Sequence, residues 1–358
     1  MSILFIGKRF YTNRDAYSEK FGRIYQLPYY WAKETETNLW LVDYHSKEKI
    51  KDQHDSLKII STPILSFIFI ANILKTLFVD RPKTIVASGD CYIGLLSFIL
   101  AKLCGAKFIF DVYDKYDAFA GYRNLGFKNL FGFLIKHAES CLFASKKLKN
   151  DCELLCKKVI LVPNGIDTNY FYPRNKSESR SFFNLNQNAI YVGYFGSMEI
   201  ERGIDDLISA VELLHQENKN IYILLGGKKR DDLKLNYDFI HYLGNIPFHD
   251  VPIAMACCDL LTLPYRNSAF LDHASSCKIG EYAAMNISIV TTNSNHVLNN
   301  YKFNAHDLSY ISENYNPNDL VKAIKKSLVE KYKFDIAFST WADISKIYLS
   351  EFNKTINF

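Results

Sequence analysis

The chain has 358 residues, of which 48% are hydrophobic and 23% charged, and its formal net charge is +5. This length exceeds that of an ordinary single domain, and the composition is that of a globular protein with substantial cores. The small, dispersed positive charge argues against a nucleic-acid-binding arm. Eight cysteines without a C-x-x-C spacing favour reduced core thiols over disulfides or zinc. We therefore expect a cytoplasmic protein.

The first half of the sequence alternates short apolar runs with helical patterns, which is typical of a parallel sheet covered by helices. These runs are continuous rather than alternating, as in strands that are buried on both faces. The predicted strands are 3–7, 39–44, 84–88, 107–112, 140–144 and 159–162. Together they predict a first Rossmann-like domain over 1–165.

The most apolar stretch, 64–78, contains Asn72 and Lys75 and is shorter than a membrane-spanning helix. Its large apolar residues allow two interpretations, a core helix or a patch that faces lipid. The core interpretation is favoured, and peripheral contact with the inner face of the membrane is the alternative. The residues concerned are Phe67, Phe69, Ile70 and Leu74.

The composition changes at 163, where Asn, Ser and Pro become frequent, and residues 166–188 are predicted to be a linker. A second alternation follows, with strands at 189–195, 221–225, 259–263 and 288–291 and helices at 204–216, 279–285 and 317–330. It predicts a second Rossmann-like domain over 189–335. Two doubly wound domains of this kind bind a ligand in a cleft at the carboxyl ends of their strands.

The C-terminal segment, 336–358, carries apolar residues at helical spacing, among them Trp341 and Tyr348. Because it follows the completed second domain, we expect this helix to cross back and pack on the first domain. A simple terminal helix is the alternative.

Several motifs are absent from the sequence. No G-x-G-x-x-G follows the first strand, which lowers the case for a dinucleotide oxidoreductase, and no P-loop motif occurs. No two aspartates have the D-x-D spacing of a metal clamp, and no dense cluster of His, Cys and carboxylates suggests a metal site.

Two segments around the domain boundary carry turn chemistry. The sequence V-P-N-G-I-D at 162–167 predicts a tight bend. The sequence G-Y-F-G-S at 193–197 ends a strand, and Arg202 and Gly203 then open a helix. A glycine-rich turn of this kind lets backbone N–H groups approach a phosphate, and Arg202 can add a charge-assisted hydrogen bond. An ordinary strand-to-helix turn is the alternative.

A third segment, S-S-C-K-I-G-E-Y-A-A-M at 275–285, opens a helix with serines and Lys278, which favours an anion site. Glu281 lies one turn further and faces the same opening, where a carboxylate can accept hydrogen bonds from both ribose hydroxyls. By itself, a glutamate such as Glu281 would more often be a surface residue of a helix.

In this order, the three segments resemble the family-4 glycosyltransferases with the GT-B fold. The pattern of that family runs V-P-N-G-[VI]-D, then a glycine followed after five residues by [KR]-G, then a K-x-x-E helix. The resemblance implies two Rossmann-like domains that face each other across a cleft. It also implies a UDP- or GDP-type sugar donor, no cofactor and no metal, and transfer with retention of configuration to a glycan or lipid-linked acceptor in surface polysaccharide synthesis.

The resemblance also implies roles for individual residues. Arg202 and Lys278 would neutralise the donor pyrophosphate, and Glu281 would hold the ribose. The sequence departs from the family at Ser197, where an arginine is usual, and at His273, which replaces the first glutamate of the E-x7-E motif and leaves the sugar open. The implied donor-binding set is Gly22, Gly196, Ser197, Arg202, His273, Ser276, Cys277, Lys278, Ile279 and Glu281.

The implied acceptor site follows the strand at 107–112. Tyr113 replaces the usual histidine of the family, and Asp114 matches its aspartate. Tyr113, Asp114 and Asp117 form the implied acceptor set, although aspartates at this spacing also suit helix capping. The implied catalytic residues are Arg202 and Lys278, which would stabilise the leaving nucleoside diphosphate, and Asp114.

Three other functions remain open from the sequence. A sugar-nucleotide epimerase of the same architecture would need carboxylates around the sugar, where this chain has His273. A catalytically silent scaffold that binds glycan or nucleotide would fit the departures at Ser197 and His273, whereas Arg202, Lys278 and Glu281 argue against it. An NAD-dependent dehydrogenase is compatible only with the two-domain architecture.

Overall fold

A computed structural model describes residues 2–11, 14–119, 121–275 and 277–356. The described residues separate into two compact units. The first contains those of 1–165, 273–275 and 341–358, and the second those of 166–272 and 276–340.

The strands and helices alternate along most of the chain. The strands are β1 Ser2–Lys8, β2 Phe10–Tyr11, β3 Arg14–Asp15, β4 Glu36–Asp43, β5 Ile50–His54, β6 Leu57–Pro63, β7 Thr84–Ser88, β8 Lys107–Val112, β9 Ser140–Phe143, β10 Val159–Leu161, β11 Ile190–Phe195, β12 Ile221–Gly226, β13 Ile240–Tyr242, β14 Leu260–Leu263, β15 Ser288–Thr292 and β16 Ile311–Ser312. The α-helices are α1 Gly22–Trp31, α2 Phe67–Lys75, α3 Cys91–Cys104, α4 Leu130–His137, α5 Lys146–Cys152, α6 Lys176–Phe182, α7 Ile204–Glu217, α8 Val251–Ala256, α9 Ala269–His273, α10 Lys278–Ala284, α11 Asn295–Asn300, α12 Ala305–Leu308, α13 Pro317–Glu330 and α14 Trp341–Ile356. A π-helical turn, Thr76–Asp80, extends α2, and 3-10 turns occur at Tyr116–Ala118, Glu153–Leu155, Ile200–Arg202 and Phe248–Asp250.

The first unit is built on an eight-stranded sheet with the order β10-β9-β8-β7-β1-β4-β6-β5. All neighbouring strands are parallel except β5, which pairs with β6 in the antiparallel sense. The strands predicted from continuous apolar runs are present, and they are buried as expected for the interior of a doubly wound sheet. Strands β5 and β6 were not predicted, because polar residues such as Lys58, Ser61 and Thr62 interrupt their apolar pattern.

Helix α14 belongs to the first unit, in agreement with the predicted return of the C-terminal segment. Tyr348 of this helix stacks on Trp31 at the end of α1, with ring centroids 4.2 Å apart. Lys158 Nζ also donates a hydrogen bond of 3.2 Å to the carbonyl of Glu351. The last helix therefore closes part of the core of the first unit.

The second unit contains a six-stranded parallel sheet with the order β13-β12-β11-β14-β15-β16. From β11 the chain moves outward through β12 and β13, and from β14 it moves outward in the opposite direction. The order thus reverses between β11 and β14. The carboxyl ends of the two strands beside such a reversal are where doubly wound sheets bind ligands.

The segment predicted as a linker, 166–188, is part of the second unit and contains α6. Arg180 of this helix is buried and donates to the carbonyl of Cys257 at 2.9 Å and to the carboxylate of Asp259 at 2.8 Å. The polar composition that suggested a linker therefore includes an arginine that fastens the segment to the start of β14.

The apolar stretch 64–78 forms α2 and the beginning of the π-helical turn. Phe69 is buried, and its ring lies 5.4 Å from that of Trp40. Phe67, Ile70 and Leu74 are exposed, so the favoured core interpretation is wrong for these three residues. No helix in the part of the chain that the structure describes is both long enough and apolar enough to cross a bilayer.

Candidate functional site

A glycine-rich turn follows β11 at the point where the strand order of the second sheet reverses. Gly196 has φ +150, and a Cβ atom added there would lie 2.9 Å from Lys278 Nζ. A Cβ atom at Gly227 would lie 2.2 Å from the carbonyl oxygen of Gly196. The close approach of these backbones requires glycine, and the Lys278 ammonium group lies against the turn.

Arg202 lies at the end of the 3-10 turn that follows. Its guanidinium group is 4.7 Å from the centroid of the Tyr265 ring, which follows β14. Beside it, the Tyr194 hydroxyl donates a hydrogen bond of 2.7 Å to the carbonyl of Ser197. Burial raises the pKa of Tyr194, and the positive charge of Arg202 partly opposes this rise. Arg202 and Lys278, predicted from separate segments, thus both lie at the carboxyl end of β11.

The position of Arg202 is fixed from the side of β14. Gly203 has φ +66, and a Cβ atom there would lie 1.8 Å from the carbonyl oxygen of Pro264. Arg266 donates two hydrogen bonds, of 2.8 and 2.7 Å, to Asp206 in the first turn of α7. Its backbone N–H also bonds to the carbonyl of Glu201 at 3.0 Å. These contacts fix the turn through groups of the protein itself, which is the arrangement that electrostatic stabilisation of a ligand requires.

Helix α10 supplies the other predicted donor residues. Cys277 precedes the helix, Ile279 is buried, and Glu281 is partly exposed, with its backbone N–H bonded to the carbonyl of Cys277 at 2.8 Å. A Cβ atom at Gly280 would lie 2.8 Å from Ile166, so the helix packs closely on the end of the V-P-N-G-I-D segment. Ser276 lies outside the described residues. The predicted role of Glu281 as a ribose ligand stays a prediction.

His273 belongs to the first unit and contacts two other residues of that unit. Its Nε2 atom lies 2.7 Å from the carboxylate of Asp151, and its carbonyl accepts a hydrogen bond of 2.7 Å from Ser145. Burial acts to raise the pKa of Asp151, but hydrogen bonds from Lys147 and His273 outweigh it and lower that pKa. The imidazole is therefore oriented by a carboxylate that is ionised at neutral pH. The predicted contact of His273 with the donor sugar stays a prediction.

In the first unit, Asp111 at the end of β8 is part of a fully buried ion pair. Arg23 Nη2 lies 2.6 Å from its carboxylate, and neither side chain has exposed surface. Ser88 donates a further hydrogen bond of 2.6 Å to the same carboxylate. Arg23 is not among the residues that the sequence predicts for the site, although an arginine near the start of a mainly apolar helix was a usable signal. The Asp111 carboxylate is thus bound by Arg23 and Ser88, and it helps to position the loop that follows β8.

The predicted acceptor residues Tyr113 and Asp114 lie together in that loop. The Tyr11 hydroxyl donates a hydrogen bond to Asp114, and the Tyr11 ring stacks on Tyr113 with centroids 5.0 Å apart. Burial and the Asp114 charge both raise the pKa of Tyr11, which keeps it protonated as a donor. Tyr11 was missed because its sequence neighbourhood carries no motif.

Asp117 and Gly22 are the two remaining predicted residues of the first unit. Asp117 forms an ion pair with Lys115 at 3.1 Å. Gly22 opens α1 with φ +70, and a Cβ atom there would meet no atom within 4 Å. The structure brings Tyr113 and Asp114 together, while the roles predicted for Asp117 and Gly22 stay predictions.

Comparison with known families assigns the second unit. Residues 189–330 match the family described as glycosyl transferases, group 1. The protein is a glycosyltransferase. The matched region begins just before β11 and ends with α13, so it contains Gly196, Arg202, Lys278 and Glu281 of this glycosyltransferase. A search of curated proteins finds no match to the sequence.

Solved structures with the same fold extend the comparison to the whole glycosyltransferase chain. Sucrose-phosphate synthase from Thermosynechococcus elongatus is similar with a TM-score of 0.69 at 13% identity, and 100% of each chain is covered. The catalytic domain of starch synthase IV from Arabidopsis thaliana, bound to ADP and acarbose, gives 0.71 at 11% identity, again with 100% of each chain covered. Anabaena HepE in complex with UDP gives 0.61 at 13% identity, with 98% of this chain and 95% of HepE covered. At these identities the similarity shows the fold, which is GT-B.

Proposed function

We propose that this glycosyltransferase moves a hexose from a nucleoside-diphosphate sugar to a glycan or lipid-linked acceptor in surface polysaccharide synthesis. The observation that carries the proposal is the pair of cations at the Gly196 turn. Arg202 and Lys278 lie at the carboxyl ends of the strands beside the reversal of strand order, where a pyrophosphate would also meet the backbone of the glycine turn. The family match and the resemblance to family 4 support the same assignment.

The proposed donor is a UDP-sugar, with a GDP-sugar as the second choice. HepE was solved with UDP, and starch synthase IV with ADP, so nucleoside diphosphates are the ligand class of similar folds. In this chain, the Glu281 carboxylate would accept the ribose hydroxyls, and Arg202 and Lys278 would bind the phosphates.

Thermal-shift titration of the purified protein with UDP, GDP, ADP and NAD tests the donor site. A ligand at about 100 times its Kd stabilises the folded state by about 2.7 kcal/mol, which a melting experiment resolves easily. We expect UDP or GDP to raise the melting temperature, and Arg202→Ala and Glu281→Ala to abolish the rise. Lys322→Ala and Glu212→Ala, which remove the same charges from exposed positions, should leave it unchanged. A shift by NAD alone would refute the assignment.

The proposed chemistry is metal-independent transfer with retention. As the bond between the anomeric carbon and the donor phosphate breaks, negative charge develops on the nucleoside diphosphate, and Arg202 and Lys278 would stabilise it. The donor phosphate would help to deprotonate the acceptor hydroxyl from the same face. We expect turnover to persist in EDTA, and the product to keep the anomeric configuration of the donor when it is analysed by NMR. Loss of turnover in EDTA that Mg²⁺ or Mn²⁺ restores would overturn the metal-independent part.

The proposed acceptor contact is Asp114, in the loop after β8. Its carboxylate, already oriented by Tyr11, would accept a hydrogen bond from the acceptor hydroxyl, and the Tyr113 ring would face the sugar. Asp114→Asn is therefore expected to lower transfer while nucleotide binding stays as in the wild type. An equal loss of nucleotide binding would place Asp114 outside the acceptor site.

We also propose that the enzyme contacts the membrane through an apolar ridge, defined as the exposed residues Ile64, Leu65, Phe67, Ile68, Ile70, Leu74, Phe78 and Val79. Phe67 is 92% exposed, Leu65 83% and Phe78 75%. The buried face of the same helix carries Phe69, Asn72 and Thr76, so two polar residues face inward while apolar ones face solvent. So many exposed apolar side chains on one helical segment are typical of a surface that binds a partner or a membrane.

The charges around the apolar ridge favour an anionic bilayer as its partner. Four cations are exposed around it: Lys75, Arg81, Lys83 and Lys102. The sequence of 64–83 contains one acidic residue, Asp80, and its carboxylate forms an ion pair with Lys75 at 2.9 Å. Leu103 at the end of α3 is 64% exposed and extends the apolar surface beside the π-helical turn. Each cation near an anionic leaflet contributes about 1 kcal/mol to binding. A lipid-linked acceptor would be reached from such a position.

Co-sedimentation with vesicles tests the ridge. We expect binding to phosphatidylcholine vesicles that contain phosphatidylglycerol, weaker binding without it, and loss of binding in Phe67→Ser/Phe78→Ser. Leu154→Ser/Phe182→Ser is the matched control, because these side chains are also highly exposed but lie elsewhere. Vesicle binding that survives in the ridge variant would refute the proposal. Dimers of the wild type that the ridge variant lacks would instead assign the surface to a second copy of the chain.

Turnover assays separate this proposal from the two alternatives of the same architecture. An epimerase would convert the sugar of the donor while it stays attached to the nucleotide, and NMR of the donor pool detects this conversion without any acceptor. A silent scaffold would bind UDP or GDP but release no nucleoside diphosphate with any acceptor.

A further inference from the structure

A cavity lies at the edge of the second sheet opposite to the Gly196 turn. Its volume is about 520 Å³, and the residues at the amino ends of β11, β14 and β15, Ile190, Asp259 and Ser288, contribute to its wall. The end of α13 and the segment before α6 complete it. The cavity therefore lies entirely within the second unit, and its volume is typical of a small-molecule site.

The charges that line this cavity are mostly positive. The lining contains four cationic side chains and one carboxylate. The cations are Arg174, Lys176, Lys331 and Lys333, and the carboxylate is that of Asp259. Asp259 is already bound by Lys176 at 2.7 Å and Arg180 at 2.8 Å. Among the described residues, no carboxylate lies within 4.0 Å of the other three cations. Three positive charges around one cavity thus have no ion-pair partner in the part of the chain that the structure describes.

Two buried polar groups of the lining also lack a hydrogen-bond partner among the described residues. One is the Ser327 hydroxyl, in a residue that is 1% exposed, and the other is Arg174 Nε. The rest of the Arg174 guanidinium is fixed, because Nη2 donates to the Tyr170 carbonyl at 3.1 Å and the group lies 4.3 Å from the Tyr172 ring centroid. A buried polar group without a partner destabilises the folded protein, and a ligand oxygen would supply the missing hydrogen bond.

We infer that this cavity binds a phosphate monoester carried on a compact polyol or sugar. The guanidinium fork of Arg174 matches the geometry of phosphate oxygens, and Lys331 and Lys333 add point charges. The Ser327 hydroxyl can donate to a phosphate oxygen or a polyol hydroxyl. Met285, Ile287 and Leu328 supply an apolar wall against which a carbon skeleton can pack. The donor-site residues contribute nothing to this cavity, so the inference does not depend on the proposed function.

Isothermal titration of the full chain with glycerol 3-phosphate, glucose 6-phosphate, inorganic phosphate and glucose tests the site. We expect both esters to bind, inorganic phosphate to bind more weakly and glucose not to bind. Lys331→Asn/Lys333→Gln should weaken ester binding by about tenfold or more, as loss of charge-assisted hydrogen bonds requires. Asparagine is chosen at 331 because Lys331 has φ +49, which asparagine tolerates.

Three further variants keep the test decisive. Lys322→Gln/Lys326→Gln removes the same charge from positions of α13 that do not line the cavity, and this variant should bind the esters like the wild type. Ser327→Ala should weaken binding without loss of charge. Glu281→Ala, a donor-site variant, should leave ester binding intact. If neither ester binds the wild type, or if Glu281→Ala rather than the cavity variants abolishes binding, the inference is overturned, and the second outcome would leave the donor site standing.

Discussion

Arg23 and Asp111 join the start of α1 to the end of β8 through groups that are wholly removed from water. Removal of one partner leaves the other buried with an uncompensated charge, which costs about 3–5 kcal/mol. We therefore expect Arg23→Met to lower the free energy of unfolding by this amount in urea denaturation. Replacement of both, Arg23→Met/Asp111→Leu, should recover much of the loss. A single variant as stable as the wild type would contradict the buried pair.

Asp43 at the end of β4 is a second buried carboxylate, and its effect depends on pH. Burial alone would raise its pKa, but hydrogen bonds from Ser46 and His45 and the charge of Arg9 outweigh this and lower the pKa below its usual range. A lowered pKa in the folded state means that the stabilisation is complete above the unfolded value of about 3.9 and disappears as pH falls through the folded value.

We accordingly expect Asp43→Asn to destabilise the protein by about 1.5–3 kcal/mol at neutral pH, where the ionised carboxylate accepts charge-assisted hydrogen bonds. The difference in melting temperature from the wild type should narrow as pH falls below about 3.9. Asp231→Asn, at an exposed position, serves as the control and should show little difference at any pH. A difference that grows towards acid pH would contradict the sign.

Residues of the second unit were easier to predict than those of the first. Arg202, Lys278 and Glu281 belong to local motifs whose spacing is visible in the sequence, and the structure brings Arg202 and Lys278 to one turn. Tyr11 and Arg23 act through partners about 90 to 100 positions away. Such contacts depend on the order of strands in the sheet, and a single sequence does not reveal that order.

At the level of elements, the turn between β11 and α7 depends on glycine at 203. Alanine there would meet two costs, about 1–2 kcal/mol for the left-handed backbone and about 1–3 kcal/mol for the contact with Pro264. Gly244→Ala is the matched control, since Gly244 has φ +74 but open space around it. We expect Gly203→Ala to lower the melting temperature clearly more than Gly244→Ala. Equal effects would show that the helix moves away from Pro264 at little cost.

The sequence predicts elements well where all their residues are buried. It predicts them poorly where polar residues are buried and apolar residues are exposed. The interior strands β1, β7 and β8 are continuous apolar runs, and the sequence predicts them with nearly their observed bounds. Helix α2 instead turns Phe67 to solvent and Asn72 to the core, and α6 buries Arg180. In both helices tertiary contacts override the composition. The composition therefore indicates a core helix for α2 and a linker for the segment that contains α6, and neither agrees with the structure.

For the whole molecule, the order of elements along the chain does not follow the division into units, because the last helix belongs to the first unit. Tyr348 and Trp31 are both fully buried, and their rings stack at 4.2 Å. A fragment that ends before α14 would leave Trp31 and its neighbours without this cover. The first unit therefore depends on a segment that is made after the complete second unit.

This dependence gives a prediction for Tyr348. Tyr348→Ala removes a fully buried aromatic side chain and should lower the free energy of unfolding by about 3–5 kcal/mol. Tyr348→Phe keeps the ring and should lower it by less than about 1.5 kcal/mol. Hydrogen exchange followed by mass spectrometry should show faster exchange in α1 and β10 of Tyr348→Ala, with α7 and β11 of the second unit unchanged. If protection fell equally in both units, Tyr348 would stabilise the chain as one cooperative body. If protection fell in neither, α14 would contribute little to the first unit, in conflict with its stacking on Trp31.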